Sequence, residues 1–262
     1  HDYFASVLES FKETAEKNDY DITFVNRNRE RRRKMTYLEH VRYRGFDGVV
    51  IACVDFEDPE VAQLVASDIP VVTIDHIFNN RIAVMSDNVK GMQSLLRYIY
   101  SCGHRRIAYI HGHPSSVTGS RLSSFYKTAE ELGLKVPDEY VLEAGYRDTD
   151  GAAAATQQLL ALPCPPTCIL YPDDFACLGG MNMLREKGLR IPEDISIAGY
   201  DGLRIGRHMD PKLTTLKQDT QKLGGYAAEK LISLIEHPKT SVPEILVVEG
   251  EVYEGRSVGN IG

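Results

Sequence analysis

The feature that most constrains this chain is a repeated alternation of short β-branched, apolar runs with amphipathic stretches of helical length. Phe4, Val7, Leu8, Phe11 and Ala15 recur at helical spacing, so the first element reads as a helix packed by one face. Ile22-Thr23-Phe24-Val25 reads as a strand. So do Gly48 to Ala52 and Pro70 to Ile74. Between them lie a basic helix carrying Met35, Leu38 and Val41 on its apolar stripe and a helix opened by Asp58-Pro59. The grammar then restarts. A helix from Asn88 to Cys102 precedes a strand at Arg106 to Ile110, and further units follow through strands Thr167 to Tyr171 and Ile195 to Gly199. The helix from Phe175 to Lys187 between those last two strands ends at Gly188, a natural residue just past a helix end.

Continuous apolar strands suit a parallel sheet covered on both faces. Two successive runs of this pattern predict an α/β fold with two doubly wound, parallel-sheet lobes. The late elements are a strand at Leu213 to Leu216, a helix at Asp219 to Glu236, and strands at Glu244 to Val248 and Val252-Tyr253. They are placed to cross back between lobes. A doubly wound lobe normally opens on a strand, and this chain begins in a helix, so a strand is expected upstream of His1.

Composition narrows the function. The net charge of -7 argues against nucleic-acid binding by this piece alone. No apolar run approaches the roughly 20 residues of a membrane helix, so no membrane partner is expected. His1-Asp2-Tyr3-Phe4 does not open a signal peptide. The five cysteines are odd in number and form no CxxC pair, and Cys53, Cys102 and Cys177 fall in apolar elements. They read as reduced thiols of a cytoplasmic protein, and Cys164 and Cys168, which flank Pro165-Pro166, are not expected to bind metal. The basic run Arg27, Arg29, Arg31, Arg32, Arg33 and Lys34 reads as a solvated helix face. Gly179-Gly180 lacks a phosphate-binding pattern. No cofactor, metal or catalytic constellation is expected.

Ligands of open α/β sheets bind at the carboxyl ends of the strands. The polar and aromatic residues there are Asp87, Arg121, Tyr146, Asp173 with Asp174, and Asp201. Each has a plain structural reading. Asp87 and one of Asp173 and Asp174 suit helix caps, and Asp201 suits a turn. Arg121 could be solvated and Tyr146 could be core. Taken together, carboxylates and a guanidinium can grip vicinal hydroxyls while a flat aromatic covers a sugar's apolar face.

The segment Gly103-His104-Arg105-Arg106-Ile107-Ala108-Tyr109-Ile110-His111-Gly112 resembles a signature of the lactose repressor/galactose repressor family. So do the runs Ile191 to Asp201 and Pro211 to Gln218, as well as Asp87-Asn88 with Gly91 and Asp174-Phe175-Ala176 with Gly179. The matches keep the family's order over nearly the whole chain. The resemblance implies a periplasmic-binding-protein-like fold with two lobes joined by three crossovers and a small, sugar-like effector in the cleft. By it, residues 1–104 and 217–240 form the N-terminal lobe, and 105–216 and 241–262 the C-terminal lobe. It assigns ligand contacts to Asp87, Arg121, Tyr146, Asp173 and Asp201. The family's DNA-binding headpiece falls outside this sequence, so operator DNA would be reached only through it.

A homodimer is implied, with contacts from the first helix and from Phe175 to Lys187. Ser124, Gly202 and Ala52 depart from the family's usual glycine, second aspartate and polar contact, and Asp173 stands where several members carry Asn. The expected function is therefore effector binding that controls transcription. A sugar-binding component of a transporter is the alternative. Substituting Arg121 or Asp201 by Ala is expected to abolish ligand binding with the fold intact.

Overall fold

The computed structural model describes residues 2–25 and 35–262. The basic run at 27–34 lies outside the described residues. Contacts divide the chain into two units, one of residues 1–86 with 219–248 and one of residues 87–218 with 249–262. The chain thus passes between units three times, after residues 86, 218 and 248. The sequence reading placed these passages after 104, 216 and 240.

Packing accounts for the difference. The helix Asn88–Ser101 inserts Met92, Leu95, Leu96 and Ile99 into the second unit's core. The strand Ile245–Val248 pairs within the first unit's sheet.

The first unit holds a parallel four-stranded sheet in the order β1, β2, β3, β9. These are Val49–Ile51, Val71–Ile74, Ile82–Ser86 and Ile245–Val248. Its helices are α1 (Asp2–Lys17), α2 (Tyr37–Arg44), α3 (Pro59–Val65) and α8 (Thr220–Glu236). Local chemistry sets their ends. Thr36 and Glu39 form a reciprocal capping box for α2, and Gly45 in the left-handed region ends it. Asp58 caps α3 with Pro59 at its first position.

Ile22 to Val25 is not a strand, contrary to the sequence reading. It borders a groove of about 1420 Å³ whose walls also include Val49 to Ala52. A ladder needs two edges roughly 4.8 Å apart, and β1, the edge strand across the groove, pairs only with β2. Cys53, just past β1, is exposed rather than packed in an apolar element, and Cys168 and Cys177 are buried.

The second unit holds six strands in the order β10, β8, β7, β6, β4, β5. They are β4 (Ile107–His111), β5 (Val141–Glu143), β6 (Cys168–Leu170), β7 (Ser196–Asp201), β8 (Thr214–Lys217) and β10 (Glu251–Tyr253). All pair in parallel except β10 with β8.

Successive side chains of a strand point to opposite faces, and both faces are covered here. Ile107 and Tyr109 of β4 pack with α4 (Asn88–Ser101) and α5 (Ser116–Glu131). Ala108 and Ile110 pack with α6 (Thr149–Leu160) and α7 (Asp174–Glu186). Double burial is why these strands read as unbroken apolar runs.

Candidate functional site

Strand β4 lies between β5 and β6, so chain leaving its carboxyl end goes one way to β5 while chain leaving β6 goes the other. Loops diverge at such a switch point and leave a crevice at the carboxyl edge. Arg121 stands there, in the second turn of α5, and is only 4% exposed. A buried guanidinium persists only when its donors are satisfied. Its Nε donates to Asn88 Oδ1 at 2.8 Å, and its Nη1 donates to the Pro172 carbonyl at 3.0 Å. Its face lies 3.5 Å from the Tyr200 ring centroid and 5.9 Å from that of Tyr146. Nη2 stands 3.9 Å from Asp201 Oδ1.

Asp201 closes β7 with φ at 101°, a conformation unusual for a side chain of this kind. Its Oδ1 accepts from Gln218 Nε2 at 2.6 Å. Gln218 follows β8 directly and is buried, and its Oε1 finds no hydrogen-bond partner among the described residues. Burial, joined by the carboxylates of Asp201 and Asp87, pushes the Tyr200 phenol up to about 12 against the pull of Arg121.

Tyr146 lies in the loop after β5. Its ring fills the space that a side chain on Gly112 would occupy. The Thr118 hydroxyl donates to the His113 carbonyl at 2.8 Å, so Tyr146 donates to Thr118 Oγ1, also at 2.8 Å. Asp87 is half-buried, and its Oδ1 caps α4 by accepting from Lys90 N at 2.8 Å.

Asp173 caps α7 through Oδ1, which accepts from Ala176 N, and its Oδ2 accepts from Arg147 N at 2.6 Å. Asp174 is fully buried. Its oxygens accept from the Thr215 hydroxyl and from Leu203 N, each at 2.6 Å. Burial raises the pKa of both carboxyls. Around Asp173 the backbone donors oppose the rise, and around Asp174 the Thr215 hydroxyl does so while the charge of Asp201 adds to it.

All five residues expected as ligand contacts lie in the second unit, and the structure brings Tyr146 and Asp201 to the guanidinium of Arg121. Asp87 stands beside Tyr200, while Asp173 spends both oxygens on backbone amides. The sequence reading missed Asn88, Thr118, Tyr200 and Gln218. Gln218 was findable, because it stands two residues past the run Leu213 to Leu216, as Asp201 stands two past Ile195 to Gly199. Tyr200 sits inside an apolar strand and gives no such signal. Among the described residues no group of three or more His, Cys, Asp or Glu is placed to hold a metal, and no helix is long and apolar enough to cross a membrane.

Comparison with known proteins bears on the fold and the family. Residues 96–258 match the family model of the periplasmic binding protein-like domain. The HTH-type transcriptional repressor PurR of Escherichia coli is 30% identical over 265 residues, covering 98% of this chain and 76% of PurR. A LacI family transcriptional regulator from Enterococcus faecium with bound ribose superposes with a TM-score of 0.86 at 22% identity, covering 100% of this chain and 96% of that one. The transcriptional regulator CelR in complex with cellobiose gives 0.85 at 23% identity, covering 98% and 79%. These relatives regulate transcription, which does not favour the transporter reading. The match to the binding-domain model, and to PurR over almost the whole of this chain, shows that the chain belongs to the lactose repressor/galactose repressor family, as the effector-binding domain of a transcription regulator.

Proposed function

We propose that the crevice of the second unit takes an uncharged, polyhydroxylated effector of the sugar class, gripped between Arg121 and Asp201. The observation that carries this is the 3.9 Å spacing of Arg121 Nη2 and Asp201 Oδ1. It is too long for a hydrogen bond and short enough for one hydroxyl to accept from the arginine and donate to the aspartate. Arg121's other bonds fix the direction in which Nη2 points. Gln218 Oε1 offers a buried acceptor for a second hydroxyl. Tyr146 offers a ring face for the sugar's C–H surface.

Asp87 and Asp201 both act on Tyr200 beside Arg121, so carboxylates outnumber the guanidinium in this group. A phosphorylated or carboxylated ligand would meet repulsion there. The bound ribose and cellobiose of the two structural neighbours are of the proposed class. Effector binding would then bias a DNA-binding headpiece in a homodimeric regulator, through differential affinity for two conformations.

Thermal denaturation against neutral mono- and disaccharides, sugar phosphates and purines tests the reading. A ligand at a hundredfold excess over Kd adds about 2.7 kcal/mol of stability. Stabilisation by a neutral sugar is expected, and stabilisation confined to sugar phosphates or purines would overturn the class assigned here.

A further inference from the structure

We infer that Asp173 and Asp174 form a two-pronged clamp at the start of α7. Each carboxylate positions one of the two loops that carry ligand-facing side chains, and neither binds effector itself. This rests on the reading of the second unit's crevice as the effector site.

Asp173 reaches back to the loop after β5. Its Oδ2 accepts from the backbone N of Arg147, the residue next to Tyr146, which stands at φ 60°. Asp174 reaches the other way, to the turn after β7. One oxygen accepts from Leu203 N, two residues past Asp201, and the other accepts from the Thr215 hydroxyl. That hydroxyl's oxygen in turn receives Gly202 N at 3.3 Å. The turn at 201–203, with positive φ at Asp201 and Gly202, is thereby tied to β8 and α7 at once.

Gly199 completes the clamp, because a side chain there would collide with Asp174 Oδ1 and Leu213. Helix capping alone needs only Asp173 Oδ1. The second oxygen of Asp173 and the whole of Asp174 are therefore beyond what α7 itself requires. A strained backbone persists where its surroundings over-determine it, and these two carboxylates supply that determination at Arg147 and Asp201.

The test is site-resolved amide hydrogen exchange by NMR, which needs no ligand. In Asp173→Asn the amide oxygen still caps α7, since Asn caps as well as Asp, but the amide nitrogen cannot accept from Arg147 N. The Arg147 amide should exchange about tenfold faster, a typical loss for a charged acceptor, and the Tyr146 ring resonances should move. The Gly202 and Leu203 amides and the α7 core amides of Met181 and Leu184 should not change.

Asp174→Asn should do the converse, loosening Gly202 and Leu203 while leaving Arg147 alone. If that variant fails to fold, Thr215→Val removes the bridge to Gly202 with the carboxylate kept, and should free the Gly202 amide alone. Equal acceleration of both loops by either variant, or no acceleration, overturns the clamp. D-ribose and cellobiose, added to wild type and to both Asn variants, form a separate arm. Retained or weakened stabilisation in Asp173→Asn fits positioning, and complete loss with unchanged loop exchange would make Asp173 a direct contact. If neither sugar stabilises wild type, the effector reading is in question while the exchange result still decides the clamp.

Discussion

The guanidinium of Arg121 lies flat on the ring of Tyr200, 3.5 Å from its centroid, and this stacking is held edge-on by Asn88 and the Pro172 carbonyl. Four segments of the second unit meet at one cation: α4, α5, the loop after β6, and β7. Removing the cation takes this donor from Asn88 Oδ1 and the Pro172 carbonyl, and takes the neighbouring positive charge from Asp201.

Arg121→Ala is therefore expected to destabilise the chain by about 3 kcal/mol, as when one partner of a buried pair is deleted. This departs from the sequence-based expectation of an intact fold. Asp201→Asn keeps an acceptor for Gln218, and is expected to cost under about 1 kcal/mol while abolishing effector binding. Differential scanning calorimetry of both variants, with and without sugar, checks the contrast. Equal melting temperatures for Arg121→Ala and wild type would remove Arg121 from the structural role assigned to it.

Gly199 in β7 faces the Asp174 carboxylate with no room for even a methyl group. Gly199→Ala must push Asp174 Oδ1 off the Thr215 hydroxyl or shift β7 against Leu213. The expected cost is about 1–3 kcal/mol, the usual range for overpacking a buried site. Chemical denaturation should show a lower midpoint with an unchanged slope. A midpoint equal to wild type would mean that the strand relaxes freely and that Asp174 is not tightly held.

His104 is 1% exposed, with Nδ1 2.9 Å from the Thr167 hydroxyl and Nε2 3.1 Å from the Gly259 carbonyl. Burial lowers its pKa, the charge of Arg105 lowers it further, and the Gly259 carbonyl opposes both. A histidine whose folded-state pKa is depressed takes up its proton more readily in the unfolded chain. Its stability contribution is present above the unfolded value of about 6.5 and is lost as pH falls through the folded value. Stability measured between pH 7 and 5.5 should therefore drop in wild type, and drop less in His104→Gln. Identical slopes for the two proteins would assign the pH dependence to other groups.

How much of this was legible beforehand depends on where each signal lives. Double burial of a parallel sheet writes itself into unbroken runs such as Ile107 to Ile110 and Ser196 to Gly199, so the strands of the second unit were read correctly. Ile22 to Val25 has a similar composition and no ladder, because pairing also depends on a partner strand brought within hydrogen-bonding distance, which local sequence does not report.

Asp173 shows a different limit. Its place after a strand suggested a ligand contact, yet its oxygens serve two backbone amides, one of them 26 residues away. Nothing near Asp173 in the chain announces Arg147. Tyr200 was hidden because a residue that stacks on a buried cation looks, in sequence, like any core aromatic.

Tyr146 gives the sharpest test of the proposed sugar platform. Its ring is fixed by a hydroxyl bond to Thr118 and by the bare backbone of Gly112, against which it packs. Gly112→Ala places a methyl group inside the space of that ring and must move it. The ring is half-buried, so it can swing outward at modest cost, and stability should fall by only about 1 kcal/mol. Tyr146→Phe keeps the ring and the packing but deletes the bond to Thr118, at a cost on the order of 1 kcal/mol. The two variants thus match in stability and differ in ring position. If Tyr146 stacks on a sugar face, Gly112→Ala should weaken sugar binding by at least about tenfold, while Tyr146→Phe should weaken it only a few-fold, a contrast worth roughly 1 kcal/mol of ring stacking. Isothermal titration with a stabilising sugar measures both. Equal affinities in the two variants would show that the ring's place does not matter, and would leave Tyr146 as a packing residue only.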